Sequence, residues 1–220
     1  LLEKTAIGFY LSGHLFQQSE AEVRRFAKRR IADLVDSRDP QLLAGIVSDL
    51  RFVNGQRGRV AIFKLDDRSE VIEAVANDDL IEANKALFAE DELLIVQGKV
   101  QVDRFAGGLR LNVNQVWDLA GARARFGRYL SLALNGSGLG GAAEVAPLAE
   151  LVKTWPARRE ATEQGELLQG LPLRLAIRRA GATAELDLGD TGRFWPTDEA
   201  LARCKALSHD GRAAIVYEAS

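Results

Sequence analysis

The sequence is poor in the residues that crosslinks, membrane spans and most cofactor sites require. Its 220 residues include one cysteine, Cys204, which excludes an internal disulfide and suits a reducing, cytoplasmic compartment. No apolar run approaches the roughly eighteen residues of a membrane-spanning helix, and the N-terminus has no signal-peptide pattern. We therefore expect no membrane partner.

Methionine is absent altogether, an initiator included, which predicts that the chain is a fragment of a longer one. The composition, 47% hydrophobic and 27% charged, is typical of a globular protein with one large or two small domains. The net charge is −2, so no whole-chain field attracts nucleic acid. Any contact with nucleic acid must depend on a local patch.

Residues for catalysis or metal binding are equally scarce. The two histidines, His14 and His209, stand far apart without neighbouring ligands, and Cys204 lies on the apolar face of a predicted helix. Turn chemistry accounts for the paired acids Asp66 and Asp67. The chain has no zinc spacing, Walker motif or dinucleotide fingerprint. We expect no catalytic residue and no cofactor.

Residues 42–119 alternate between apolar and polar side chains in a way that predicts five short strands. Asn54-Gly55 predicts a hairpin turn, Asn77 predicts a helix N-cap, and the mid-strand Gly98 predicts a bulge or sharp bend. The predicted strands are 43–53, 59–65, 71–76, 93–103 and 109–114, with one helix between the third and the fourth. A small closed barrel needs such bent strands, although a hairpin protein of another kind remains an alternative.

This order is that of the OB-fold, which binds oligonucleotides across its second and third strands and between its first and last hairpin loops. Cations and phenylalanines collect at those places. The predicted nucleic-acid-binding residues are Arg51, Phe52, Arg57, Arg59, Phe63, Lys64, Arg104, Phe105 and Arg110. Aromatic rings stack on bases of any sequence, and cations form ion pairs with phosphates. We therefore predict that these residues bind single-stranded DNA weakly and without sequence preference. Alternatively, the cations are solvated edge charges and the phenylalanines fill the barrel.

The flanking segments complete a fold that is mainly β plus α+β. We predict a helical arm at residues 1–40, the OB-fold domain at residues 41–119 and a linker helix at residues 120–128. Residues 129–220 follow the order β-α-β-β-α-β, which predicts a ferredoxin-like α+β sandwich.

A basic cluster fills the later turns of an arm helix that begins near Ser19; its members are Arg24, Arg25, Lys28, Arg29 and Arg30. It either touches a phosphate backbone or merely suits the helix C-terminus.

Four short segments together carry a family resemblance. EKTAIGFYLSGH at 3–14, LDDRS at 65–69, LIVQGKV at 94–100 and FAGGLR at 105–110 occur in the order in which the alpha subunit of bacterial DNA polymerase III has them. The chain thus resembles the C-terminal region of that family; one departure is Leu15, where the family has proline. The LDDRS turn also resembles anticodon-binding OB domains, so a tRNA-binding or RNA-binding module remains an alternative.

The resemblance implies a parent chain that is a DNA-directed DNA polymerase, whose catalytic carboxylates and sliding-clamp motif lie upstream of these residues. It implies that the OB domain binds single-stranded DNA and that the C-terminal domain docks the tau subunit of the clamp loader. Candidate tau-binding anchors are Phe194, Trp195 and Tyr217, because aromatic residues dominate interface hot spots. A core role for these three, or a purely protein-docking scaffold, is the alternative.

Overall fold

The computed structural model describes residues 14–56, 58–103, 107–136, 142–162 and 165–218, with only the backbone for residues 142–144. The chain divides into two compact units, Leu1–Leu119 and Ala120–Ser220. We call these the first unit and the second unit.

The arm of the first unit differs from its prediction. Helix α1 occupies residues 14–23, residues 24–26 form a turn, and a 3-10 turn follows at Ile31–Asp33. Ser19 therefore lies inside α1, and the whole basic cluster lies beyond it. The reason is packing: Phe16 and Val23, two turns apart on one helix face, are fully buried, and their burial outweighs the capping signal at Ser19. The first thirteen residues of the predicted arm lie outside the described residues.

Five strands of the first unit form a closed barrel. They are β1 (Ser37–Gly55), β2 (Gly58–Asp66), β3 (Val71–Ala76), β4 (Leu93–Val102) and β5 (Leu109–Trp117). Their order around the barrel is β1-β2-β3-β5-β4. All neighbours are antiparallel except β3 and β5, which run parallel. The predicted five-stranded OB-fold is confirmed.

Strand β1 is long enough to close the barrel on both sides. Its residues from Gln41 to Ile46 pair with β4, and those from Ile46 to Gly55 pair with β2. The pairing with β2 shifts between Ser48 and Arg51, where Asp49 takes a left-handed conformation at φ 51°. The irregularity bends β1, and the bend lets the sheet curl onto itself.

Gly98 lies where the pairing of β4 with β5 shifts, which confirms the predicted bulge. A Cβ atom added at Gly98 would lie 2.3 Å from the carbonyl oxygen of Asn112 on β5. Only glycine allows the two backbones to approach this closely.

The barrel is filled by the inward-facing residues of all five strands, among them Leu43, Phe63, Ala74, Val96 and Leu111. Helix α2 (Asp78–Ala83) follows β3, and Leu80 N donates to Asn77 Oδ1 at 3.0 Å, which confirms the predicted cap. A 3-10 turn at Lys85–Leu87 continues the segment.

The second unit contains three helices and six strands in its described part. The helices are α3 (Leu119–Phe126, which begins at the boundary), α4 (Ala142–Thr154) and α5 (Asp198–Leu207); the strands are β6 (Gly127–Asn135), β7 (Arg158–Thr162), β8 (Gly165–Gln169), β9 (Leu173–Arg179), β10 (Ala182–Asp187) and β11 (Ala213–Tyr217). Thr197 caps α5 by accepting from Ala200 N at 3.2 Å. Strands β7 and β8 form a separate hairpin that the sequence pattern did not predict, because its side chains are exposed or half-buried and carry no periodicity.

The four-stranded sheet has the order β10-β9-β6-β11, which confirms an α+β class but corrects the ferredoxin-like prediction. Strands β6 and β9 are direct parallel neighbours, whereas a ferredoxin-like sheet splits this pair with another strand. Their register explains the difference: Leu130 and Leu132 of β6 lie beside Leu173 and Leu175 of β9, so the two strands bury one continuous apolar face.

Candidate nucleic-acid interface

The outer face of the barrel carries the predicted cations in register. In the strand register, Lys64 on β2 lies opposite Glu73 on β3, and Glu73 lies opposite Arg110 on β5. Arg51 on β1 lies opposite Ile62 on the same outer surface. All of these side chains are exposed or half-buried, while the alternating residues point into the core. Three predicted cations, from three different strands, therefore share one face.

Phe52 and Arg59 form an aromatic site on the other face of the β1–β2 ribbon, because Phe52 pairs with the buried Ala61 and side chains alternate along a strand. The Phe52 side chain is 48% exposed, and the Arg59 guanidinium carbon lies 5.5 Å from the centre of its ring. Arg59 also pairs with Asp78 and Glu82 of α2. A hydrogen bond from Lys85, together with the positive charges of Lys85 and Arg59, lowers the pKa of Glu82. The interface thus has one exposed ring whose neighbouring cation is neutralised by two acids.

Every predicted cation in the described part of this face has a carboxylate beside it. Glu73 contacts Arg110 at 2.6 Å and Arg51 at 3.6 Å, so one carboxylate joins two arginines. Arg110 also contacts Asp103 at 2.8 Å, and Lys64 contacts Asp49 at 2.6 Å. In the unbound protein these carboxylates neutralise the positive charges of the face. A phosphate therefore has to displace them to bind.

Phe63 is a correction to the predicted site. It is 0% exposed inside the barrel, where its ring meets that of Phe88 edge-on with centroids 5.9 Å apart. Since inward residues alternate with outward ones along β2, Phe63 faces the core while Lys64 faces solvent. Phe63 cannot stack on a base.

Three further predicted residues, Arg57, Arg104 and Phe105, lie outside the described residues. The loop between β1 and β2 therefore lacks one described residue, and the loop between β4 and β5 lacks three.

The predicted docking aromatics of the second unit are also corrected. Phe194 is fully buried, and its backbone exchanges hydrogen bonds with Leu171. Trp195 and Tyr217 are 7% and 6% exposed, and the Arg158 guanidinium carbon lies 3.8 Å from the Trp195 ring centre. All three aromatics are buried, so none is an exposed anchor.

Sequence reasoning missed a buried ion pair that ties the arm to the barrel. The Asp66-Asp67-Arg68-Ser69 turn forms as expected: Arg68 N donates to Asp66 Oδ1 at 2.8 Å and Ser69 N to Asp67 Oδ1 at 3.0 Å. Asp67 Oδ2, however, also accepts from Arg24 Nη2 at 2.8 Å and Ile31 N at 3.0 Å. No local signal marks this contact, since Arg24 and Asp67 lie 43 positions apart.

In the described part of the chain, the His, Cys, Asp and Glu side chains form no group that could hold a metal ion. His14 and His209 are exposed, and burial raises the pKa of the Cys204 thiol to about 12, so this thiol is not a nucleophile at neutral pH. Among the described helices, none is long and apolar enough to cross a membrane.

The barrel matches a known domain family. Residues 42–119 fit the tRNA anti-codon family model, described as an OB-fold nucleic acid binding domain. A solved structure of the second single-stranded DNA-binding protein of Mycobacterium smegmatis aligns with 36% of this chain and 87% of its own, at 12% identity and a TM-score of 0.33. A structural match at this level carries no information about function.

Curated relatives match nearly the whole chain. It is 34% identical over 204 residues to DNA polymerase III subunit alpha of Pseudomonas aeruginosa, and 30% identical over 209 residues to that of Escherichia coli K12. These alignments cover 90% and 93% of this chain but only 16% and 17% of the relatives. The chain therefore belongs, as a segment, to the family of bacterial DNA polymerase III alpha subunits, and it contains an OB-fold nucleic acid binding domain at residues 42–119.

Proposed function

We propose that this chain is part of a replicative DNA polymerase alpha subunit and that its OB domain binds single-stranded DNA weakly and without sequence preference. The observation that carries the proposal is the exposed ring of Phe52 near the β1–β2 turn, with the Arg59 guanidinium over it and with Arg51 and Lys64 on the outer face of the same two strands. A ring of this kind stacks on any base, because every base has a π-face. The neighbouring guanidinium and ammonium groups are suited to the phosphates.

The ion pairs of the face account for weak binding. Exposed pairs contribute only about 0–1 kcal/mol each, so a phosphate can replace a carboxylate at small cost. The gain is small for the same reason, since one charge-assisted contact is exchanged for another. We therefore expect a shallow salt dependence, with a slope of about −0.7 per phosphate contacted.

Two substitutions on this face should act in opposite directions. Phe52→Ala should weaken binding of a labelled oligothymidine by about 1–3 kcal/mol, the usual loss for one stacked base. Glu73→Gln should tighten binding, because it frees Arg51 and Arg110 from their shared carboxylate. Fluorescence anisotropy at two salt concentrations measures both effects.

Matched controls separate these effects from general changes. Val35→Ala removes another exposed apolar side chain of the first unit, and Glu70→Gln removes an acid that forms no ion pair among the described residues. If Phe52→Ala and Val35→Ala bind alike, the assignment of this face is wrong. If the unaltered chain binds no oligothymidine even at low salt, the proposed function itself fails.

A structured RNA is the second candidate ligand, because the matching domain family is named for tRNA anticodon binding. The exposed aromatic and the neutralised cations favour a single strand over a charged, folded RNA. A competition titration of bound oligothymidine with tRNA distinguishes the two: tRNA that displaces it at much lower concentration would favour the RNA hypothesis.

We further propose that the second unit docks the tau subunit of the clamp loader, and that polymerisation and sliding-clamp binding belong to parts of the relatives that this chain does not match. The proposal rests on the family resemblance. Within the described residues, the exposed large apolar side chains of the second unit, Val145, Leu167 and Leu186, replace the buried aromatics as candidate anchors. Under this hypothesis the segment works in the cytoplasm, beside the replication fork.

Changing Val145, Leu167 and Leu186 together to serine should weaken tau binding at least tenfold, because each apolar side chain that the interface buries contributes about 1.5–3 kcal/mol. The control carries serine at three exposed valines of the first unit, Val35, Val71 and Val102. Surface plasmon resonance with purified tau measures both variants. Equal affinities for tau in the two variants would remove these three residues from the docking surface.

A further inference from the structure

The segment that follows α1 presents cations on a fixed backbone. Val23, Ala27 and Ile31 recur every four residues and are buried in the first unit. The residues between them include four exposed cations, which we call the basic loop: Arg25, Lys28, Arg29 and Arg30. Buried residues thus anchor the segment before, within and after the basic loop.

The buried ion pair also holds this segment from inside. Arg24 Nη1 donates to the carbonyl oxygens of Arg29 at 3.0 Å and Ala27 at 3.4 Å, while Arg24 Nη2 donates to Asp67. Asp67 in turn accepts from Ile31 N. Both ends of the segment are therefore tied to one carboxylate of the barrel, and the loop loses little conformational entropy when it binds a ligand.

The charges of the basic loop are available, unlike those of the outer barrel face. Among the described residues, none of the four cations forms an ion pair, whereas Arg51, Arg59, Lys64 and Arg110 of the barrel all do. A helix dipole does not account for Lys28, Arg29 or Arg30, because α1 ends at residue 23 and they lie beyond its last turn. The basic loop is thus an unneutralised positive patch on a chain whose net charge is −2.

The chemistry of the patch points to a phosphate backbone rather than to bases. Its segment has one aromatic residue, Phe26, which is half-buried, and Phe16 beneath it is fully buried. Without an exposed ring there is no platform for an unstacked base. Duplex DNA offers the denser target, with one negative charge for about every 1.7 Å of its axis.

We propose that the basic loop binds the phosphodiester backbone of duplex DNA. The outer barrel face and the basic loop then take different forms of nucleic acid, a single strand at the exposed ring and a duplex at the unpaired cations. The proposal does not depend on the function proposed for the barrel face, since it uses different residues and a different ligand.

Changing all four residues of the basic loop to glutamine in the full chain should weaken binding of a labelled, blunt-ended duplex at least tenfold at low salt. The slope of log affinity against log salt should shrink by about 0.9 for each phosphate that the variant leaves unneutralised. The matched control removes four exposed cations of the second unit that form no ion pair among the described residues: Lys153→Gln, Arg178→Gln, Arg203→Gln and Lys205→Gln. Both variants carry the same net charge, and thermal unfolding checks that both are folded.

Anisotropy titrations with the duplex and with oligothymidine of equal length distinguish the outcomes. A loss confined to the basic-loop variant and larger for the duplex supports the proposal. An unchanged duplex affinity, or an equal loss in the control variant, overturns it, since net charge would then explain all binding. A larger loss for oligothymidine than for the duplex overturns the duplex assignment.

Discussion

Replacing Asp67 by asparagine should lower the free energy of unfolding of the first unit by about 3 kcal/mol. The Asp67 side chain has no exposed surface, and both of its oxygens accept hydrogen bonds: Oδ1 from Ser69, and Oδ2 from Arg24 and Ile31. An asparagine must turn its NH2 group toward donors in either orientation. It also leaves the partly buried Arg24 with only Glu20, 3.9 Å away, as a counter-charge. The estimate is at the lower end of the range for broken buried pairs, because the Arg24 side chain keeps 18% exposure.

The loss should depend on pH in a way that identifies the carboxylate. Burial alone raises the pKa of Asp67, but hydrogen bonds from Ser69, Arg24 and the amide of Ile31 outweigh it and hold the pKa below its ordinary value. Since the folded pKa lies below the unfolded one, this stabilisation is complete above about pH 4 and is lost as pH falls through the folded pKa. The difference between the unaltered chain and Asp67→Asn should therefore shrink below about pH 4.

Urea unfolding from neutral to acidic pH measures this prediction. Asp66→Asn is the matched control, because it makes the same change of charge in the same turn and keeps the oxygen that accepts from Arg68 N. We expect the control to stay within about 0.5 kcal/mol of the unaltered chain. Equal losses for the two variants would show that the turn, and not the tie to Arg24, accounts for the stability.

Gly98→Ala should destabilise the barrel by about 3 kcal/mol or more, at or above the upper end of the range for overpacking. The added Cβ would lie 2.3 Å from Asn112 O and 2.9 Å from Asn112 C, both backbone atoms of β5. A flexible side chain can move aside, but β4 is paired on both edges, with β1 at Gln41 and with β5 at Val113. The clash must then be relieved by separating strands of a closed barrel.

The matched variant is Gly55→Ala, at the end of β1, where the nearest atom to an added Cβ lies 3.5 Å away. We expect this variant to unfold in urea within about 0.5 kcal/mol of the unaltered chain. If Gly98→Ala is equally well tolerated, the bulge in β4 is not held by close backbone contact, and our account of how the barrel closes is wrong.

Local chemistry made the barrel predictable. The alternation in β4, the side-chain cap at Asn77 and the bulge at Gly98 are each encoded within a few neighbouring residues, and the structure confirms all three. The arm helix was misplaced because its local capping signal at Ser19 competed with the burial of Phe16 and Val23. The sheet order of the second unit was missed because one pattern of strands and helices suits more than one way of pairing.

The site was predictable only as a list of residue types. Clustered cations and rings marked Arg51, Phe52 and Lys64, which are exposed, but the same pattern included the buried Phe63. The neutralising role of Glu73 arises from the parallel pairing of β3 with β5, which places it beside Arg110, 37 positions away.

The order of residues along the chain is enough to specify five strands, their turns and a barrel with nucleic-acid-binding chemistry, because those features depend on neighbours a few positions apart. The folded chain settles which cations are free, which rings are exposed and what holds the basic loop. Those properties arise from contacts such as Arg24 with Asp67 and Arg110 with Glu73. Such contacts join residues distant in sequence, and their burial and charge take effect only once the strands have been brought together.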